Sequence, residues 1–101
     1  MDDKRELRSG QKLVTTAGTA VPLSATSKHI CKLWIKALST NTGLIYVGDS
    51  GVDSSSGFEL SKTNEIDLSS VFAKDNFIMD LSEIYIDSSV NGEGVSIAYF
   101  E

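Results

Sequence analysis

The segment GDSG, residues 48–51, is the part of this sequence that most resembles a catalytic motif. A serine nucleophile needs a histidine to take its proton and a carboxylate to orient that histidine. The chain has one histidine, His29, and the only aspartate between His29 and Ser50 is Asp49. Adjacent residues of an extended chain point to opposite sides, so Asp49 is poorly placed to orient His29. We interpret GDSG as a turn and expect no catalytic residues, so that the protein is not an enzyme.

Metal and cofactor motifs are equally weak. Asp49, Asp53 and the serines at 54–56 offer oxygen atoms to a cation, but the alternating ligands of a calcium loop are interrupted at Gly51. One cysteine, Cys31, and one histidine cannot supply the three or four ligands of a zinc site. Neither GxxxxGK[ST] nor GxGxxG occurs. We therefore expect no metal and no cofactor.

Composition indicates a small soluble domain. The chain has 101 residues, of which 41% are hydrophobic and 23% charged, as in ordinary globular domains. No apolar run approaches the roughly 18 residues of a membrane span. The charged N-terminus lacks the apolar region of a signal peptide, which predicts synthesis in a cytoplasm. A single cysteine excludes an intrachain disulfide.

Charge is distributed unevenly along the chain. Residues 1–40 carry seven Lys/Arg and three acids, a net +4, whereas residues 41–101 carry two lysines and eleven acids, a net −9. An acidic chain without a basic and aromatic patch argues against nucleic acid as a ligand. Two interpretations stay open, namely separate solvated faces of each sign, or charge complementarity between copies or with a partner.

The pattern of short apolar segments and turn residues predicts an all-β fold. We expect a flexible N-terminal arm over residues 1–10, followed by one domain over residues 11–101. That domain should be a single antiparallel β-sandwich or jelly roll of about seven or eight short strands. Pro22 predicts an edge strand, and NGEG at 91–94 a hairpin-type turn. The predicted strands lie at 12–16, 19–23, 28–38, 44–47, 57–60, 65–72, 77–87 and 95–100. For the second half of 65–72, a loop or a helical turn stays open as an alternative.

The segment at 28–38 alternates with a period of two, which favours a strand with one buried face. Trp34 would lie among lysines on the outer face, either covered by their aliphatic stems or anchoring an interface. Alternation predicts that the core face carries His29, Cys31, Leu33, Ile35 and Ala37, and the outer face Lys28, Ile30, Lys32, Trp34 and Lys36.

The order of motifs resembles a group of small virion proteins of tailed bacteriophages. The matching segments are VTTAGTAVPLS at 14–24, ALSTNTGLIYVGDSGV at 37–52, SGFELS at 56–61 and DLSEIYIDSSVNGEGVSIAYFE at 80–101. The most specific piece is NTGLIYVG at 41–48, and the resemblance covers about residues 13–101. The chain departs from the group at 61–79, which is longer than the usual glycine-rich turn, and in the charged segment 1–10.

The resemblance implies a jelly-roll or β-sandwich module of the virion. Our expectation is a structural protein, a capsid decoration or cement protein that bridges capsid subunits and stabilises the head. Implied partners are the major capsid protein or other virion proteins and further copies of the chain, with a homotrimer favoured; nucleic acid and membranes are not expected. The candidate interface residues are Arg5, Leu7, Arg8, Ile30, Lys32, Trp34 and Lys36.

Two alternatives stay open. A tail, neck or head-fibre component of the virion would show the same sequence features. A carbohydrate-binding β-sandwich belongs to a different class of protein and would need an aromatic platform. The candidate residues for such a platform are Trp34 with Tyr46 or Tyr85.

Overall fold

A computed structural model describes residues 6–69 and 79–101. The described residues form ten β-strands and one short 3-10 helix at Leu81–Glu83. The predicted all-β fold is confirmed. Sheet I contains β1 (Leu7–Val14), β10 (Glu93–Phe100), β4 (Lys32–Ala37) and β7 (Glu65–Ser69), in that spatial order. Sheet II contains β2 (Val21–Pro22), β9 (Tyr85–Ser88), β5 (Ile45–Gly48) and β6 (Phe58–Leu60), and a small sheet pairs β3 (His29–Ile30) with β8 (Met79–Asp80).

Strand pairing in the two large sheets is nested along the chain. β1 pairs with β10, β2 with β9, β4 with β7, and β5 with β6, all antiparallel. The two halves of the chain are therefore wound around each other, with the loop between β5 and β6 at the turning point. The same winding brings the first and last described residues together, since the Glu101 amide donates to the Glu6 carbonyl at 3.1 Å.

The core lies between the facing sides of sheets I and II. Alternation along each strand turns one side chain in two toward this core, as in β10, where Val95, Ile97 and Tyr99 are buried as predicted. Pro22 lies in β2 at one edge of sheet II, which confirms the edge prediction. The antiparallel sandwich is thus the observed architecture. Its core residues are Val14, Leu23, Ile30, Leu33, Ile35, Ala37, Ile45, Val47, Leu60, Leu81, Ile86, Val95, Ile97 and Tyr99.

The segment 28–38 is not one strand, and the predicted alternation fails in its first part. The chain bends at Cys31, whose amide donates to the Phe100 carbonyl at 3.2 Å. The bend shifts the phase of alternation, so Ile30 is buried (1% exposed) while His29 is exposed. Placing Ile30 among the outer lysines, and His29 in the core, was wrong. Leu33 and its alternate neighbours in β4 are buried as predicted.

The predicted N-terminal arm is wrong for residues 7–10. These residues belong to β1, which pairs with β10 from Leu7–Phe100 to Val14–Glu93 without a break in register. They are exposed, so backbone pairing to the C-terminal strand, not apolar burial, orders them. The arm residues 1–5 lie outside the described residues. Removing residues 1–10 would therefore delete half of β1.

Two other elements differ from their predictions. The predicted strand at 77–87 is interrupted by the 3-10 helix, because Asp80 caps that helix by accepting a hydrogen bond from the Ser82 amide at 2.9 Å. The turn containing Asn91 and Gly92 is not a hairpin, because it links β9 of sheet II to β10 of sheet I. Gly92 has a φ of 80°, which favours glycine. The second half of the predicted strand 65–72 lies outside the described residues from 70 onward.

Candidate functional site

The outer face of sheet I carries most of the predicted interface residues. The register places Trp34 of β4 between Ala98 of β10 and Asp67 of β7, and alternation turns all three side chains away from the core. We call this surface the sheet I face. Its members are Leu7, Ser9, Gln11, Lys32, Trp34, Lys36, Glu65, Asp67, Ser96, Ala98 and Phe100.

An aromatic cluster lies on the two central strands of sheet I, β4 and β10, toward the end of the sheet where β10 finishes. The rings of Trp34 and Phe100 meet edge to face, with centroids 5.9 Å apart and planes at 66°. The Nζ atom of Lys32 lies 5.3 Å from the centroid of the Trp34 ring, a cation–π contact. Leu7 is the cross-strand neighbour of Phe100 and is 59% exposed. Trp34 itself is only partly exposed, so a lysine covers part of the indole and part stays accessible.

Sequence reasoning missed Phe100 and Ala98, although a signal was present. In VSIAYF the residues between the buried Val95, Ile97 and Tyr99 must face outward. What the sequence could not supply is the register that sets Phe100 beside Lys32. Cross-strand neighbours come from chain segments far apart, so alternation alone does not reveal them.

The remaining predicted interface residues are not on the sheet I face. Arg8 lies on the opposite side of β1, and its guanidinium contacts Glu6 at 2.7 Å and Glu101 at 3.2 Å. The hydrogen bond and charge of Glu101, with the charge of Glu6, raise the pKa of Arg8. Arg8 therefore links the first and the last described residue. Ile30 is a core residue, and Arg5 lies outside the described residues.

The GDSG segment begins a loop, residues 49–57, that folds over the outer side of sheet II. Val52 in this loop is 4% exposed, and Tyr46 of β5 is 6% exposed although it points away from the core. A Cβ atom on Gly48 would lie 2.8 Å from Val52 Cγ2, and one on Gly57 would lie closer still to Tyr46. These two glycines let Val52 pack against the strand. Ser50 is exposed in the turn that the Val52 amide closes by donating to the Asp49 carbonyl at 3.0 Å.

We predict that Ser50→Ala leaves the free energy of unfolding within about 0.5 kcal/mol of the wild type, because an exposed turn hydroxyl makes little difference. Val52→Ala in the same loop should lower that free energy by about 1 to 2 kcal/mol, since it removes two buried methyl groups. Urea unfolding of both variants measures the difference. Labelling of Ser50 by an active-site serine probe in the wild-type protein would contradict the turn interpretation.

Three carboxylates serve as anchors for loops. Asp53 accepts hydrogen bonds from the Ser55 hydroxyl and amide, Asp80 from the Ser27 hydroxyl among others, and Glu93 from the Gly43 amide among others. In each case these hydrogen bonds lower the pKa of the carboxyl group, because they favour its charged form. The acids of the second half of the chain thus include several that fix loop geometry.

Metal binding and membrane spanning find no support in the described part of the chain. Within residues 6–69 and 79–101, no three His, Cys, Asp or Glu side chains cluster as metal ligands would. His29 Nε2 does lie 3.7 Å from Asp80 Oδ2, with the imidazole mostly exposed. The same ranges contain no helix with the length and apolarity of a membrane span.

Two concave regions involve strands of sheet II. An apolar cleft of about 530 Å³ opens between β6 and β7 and is lined by Phe58, Ile66 and Ile84 among others. A more polar depression of about 340 Å³ lies beside the loop 49–57, where Tyr46, Asp53 and Asp87 contribute to its lining. The buried Tyr46 and the partly exposed Trp34 belong to different sheets, so they do not form one aromatic platform.

Comparison with known proteins gives no match. A scan against protein-family models finds none that fits the chain, and searches of the curated proteins and of the solved structures find no similar protein.

Proposed function

We propose that this chain is a structural protein of a bacteriophage virion, a decoration or cement protein that binds the capsid exterior and bridges its subunits. The observation that carries the proposal is the sheet I face, where the exposed Leu7 and the partly exposed Trp34 and Phe100 form an apolar surface beside Lys32 and Lys36. Aromatic residues on a rigid sheet lose little side-chain freedom on binding, which suits an adhesive surface. The resemblance of residues 13–101 to small phage virion proteins supports the same class.

Strand order supports the jelly-roll form of the sandwich. A jelly roll has eight strands in two sheets, formed by winding one long antiparallel hairpin. With β3 and β8 set aside as the small sheet, the other eight strands pair first with last, second with seventh, third with sixth and fourth with fifth.

We also propose that three copies associate through the sheet I face. Lys36 on this face is exposed, and the side of sheet II offers the exposed acids Asp49, Asp53 and Glu59. Contact between the sheet I face of one copy and the sheet II side of the next would place lysines opposite acids. Because the two surfaces differ, the contact is heterologous, and repetition around an axis can close a ring of three.

Counting copies in purified particles of the virus that encodes this chain tests the proposal. Quantitative mass spectrometry against the major capsid protein should give hundreds of copies, as expected when decoration follows the capsid lattice. About six or twelve copies would identify a tail, neck or fibre component, since those parts have low cyclic symmetry. Absence of the chain from the particles would overturn the virion assignment altogether.

A further inference from the structure

Within residues 6–69 and 79–101, β1 is the longest strand at an edge of either large sheet. It spans eight residues, against two for β2, three for β6 and five for β7. Pro22 protects β2, whereas β1 contains no proline. Among the described residues, β1 has a partner on one side only, which is β10. A long edge strand of this kind is a template for pairing with another strand.

The alternating direction of backbone N–H and C=O groups along a strand shows which of these groups in β1 point away from β10. The Glu101 amide donates to the Glu6 carbonyl. The N–H and C=O groups of residue 6, and of every second residue after it, therefore point toward β10. In agreement, the carbonyl groups of Phe100 and Gly94, which lie opposite Leu7 and Leu13, accept hydrogen bonds from the β4 side. The N–H and C=O groups that point outward are therefore those of Leu7, Ser9, Gln11 and Leu13.

The sequence of β1 is a palindrome in chemical type. Residues 7–13 read Leu, Arg, Ser, Gly, Gln, Lys, Leu, with Gly10 at the centre, a polar residue on each side of it, then a cation, then a leucine. An antiparallel strand pair about a two-fold axis brings residue i opposite residue 20 − i when Gly10 is the centre. Leu7 then meets the second copy's Leu13, and these leucines are 59% and 48% exposed in the single chain.

We propose that β1 binds β1 of a second copy about a two-fold axis at Gly10, joining the two sheets I into one continuous sheet. In this register every outward backbone group finds a partner, because residues 7, 9, 11 and 13 pair only among themselves. Gly10 lies opposite Gly10 of the second copy, in a pair that has no direct hydrogen bonds and therefore a short Cα–Cα distance. Gly10 is exposed and has free space around it, so the two backbones can approach this closely. The leucine pairs extend the apolar part of the sheet I face across the junction.

Repulsion between two cations opposes this strand pairing, and nearby carboxylates offset it. Arg8 lies opposite the partner's Lys12, and like charges across a strand pair are destabilising. Arg8 already contacts the carboxylates of Glu6 and Glu101, which offset its charge. The two-fold contact does not depend on the proposed trimer or on a capsid. If the trimer contact and the β1–β1 contact both form, the β1–β1 contact links one trimer to the next, and the bound trimers form a continuous network on the capsid.

Single-cysteine variants in a Cys31→Ser background test the register. Gly10→Cys places two thiols across the axis on Cα atoms about 4.5 Å apart, within the range that a disulfide accepts. Ser9→Cys alone places them about 8 Å apart, which is too far. After oxidation with copper phenanthroline at micromolar protein, we expect several-fold more covalent dimer from Gly10→Cys than from Ser9→Cys. Mixing Ser9→Cys with Gln11→Cys should restore the dimer, since residue 9 lies opposite residue 11.

Three further measurements control for folding, for the backbone hydrogen bonds of β1 and for the proposed trimer. Thermal melts establish that each variant is folded, which the exposed positions favour. Adding Gln11→Pro removes an outward N–H without breaking a bond to β10, and it should abolish the Gly10→Cys dimer. Adding Trp34→Ala should leave that dimer intact, so that failure of the proposed trimer and failure of the edge contact are distinguishable. A folded Gly10→Cys variant that stays monomeric, or one that cross-links no better than Ser9→Cys, would overturn the proposal.

Discussion

Gly94→Ala is expected to lower the free energy of unfolding by about 3 kcal/mol, the upper part of the usual range for overpacking. A Cβ atom at this position would overlap the Lys12 carbonyl oxygen and lie 2.8 Å from the Leu13 Cα atom. Both are backbone atoms of β1, so no side-chain rotation relieves the clash, and the strand itself must move. The Gly94 carbonyl also accepts a hydrogen bond from the Asn41 side chain at 2.9 Å, which a shift of β10 would strain. Urea unfolding followed by tryptophan fluorescence gives the loss.

Gly10→Ala is the matched control for this prediction. Gly10 lies in β1, the strand that faces Gly94, and a Cβ atom there meets nothing within 4 Å. Alanine restricts the unfolded chain more than glycine does, so the variant should be unchanged or more stable by about 0.5 kcal/mol. Equal losses for the two variants would show that β1 does not approach β10 as closely as described.

The parts of the fold that could be predicted from the sequence depend on short-range patterns. Alternation in β10 and in the second half of 28–38 identifies buried residues such as Leu33 and Ile97, because a strand with one buried face must alternate. Turn residues mark the ends of most strands for the same local reason. These signals are sufficient for an antiparallel sandwich and for Trp34 on an outer face.

The parts that could not be predicted depend on partners far away in the chain. The alternation of buried and exposed residues shifts at Cys31, where the backbone is hydrogen-bonded to Phe100. The residues next to Ile30 in the sequence therefore do not indicate that its side chain is buried. β1 is ordered by β10, and its own composition resembles a mobile segment. The loop 49–57 looks like a solvated turn, yet Val52 packs on Tyr46 of the outer side of sheet II. The neighbours of Trp34 depend on a register that only the folded chain sets.

Trp34→Ala is expected to weaken the proposed association of three copies by about 30-fold, the loss of roughly 2 kcal/mol that marks a central aromatic residue of an interface. The change removes the indole that contacts Phe100 and Lys32, and with it the largest side chain of the sheet I face. Sedimentation equilibrium over micromolar concentrations measures the fraction of trimer. Because Trp34 is only partly buried, the variant monomer should keep a cooperative thermal transition.

Phe58→Ala is the matched control for the tryptophan change. Phe58 is also a large aromatic residue, 59% exposed, and it lines the apolar cleft between the edge strands β6 and β7. It pairs with the core residue Val47, so its side chain points to the inner side of sheet II, opposite to that of Glu59. Its removal should leave the trimer fraction unchanged if the sheet I face is the specific contact. Equal weakening by both variants would indicate that exposed aromatic side chains cause non-specific association. A wild-type chain that stays monomeric throughout the range would remove the self-assembled trimer and leave only copies that meet on a shell.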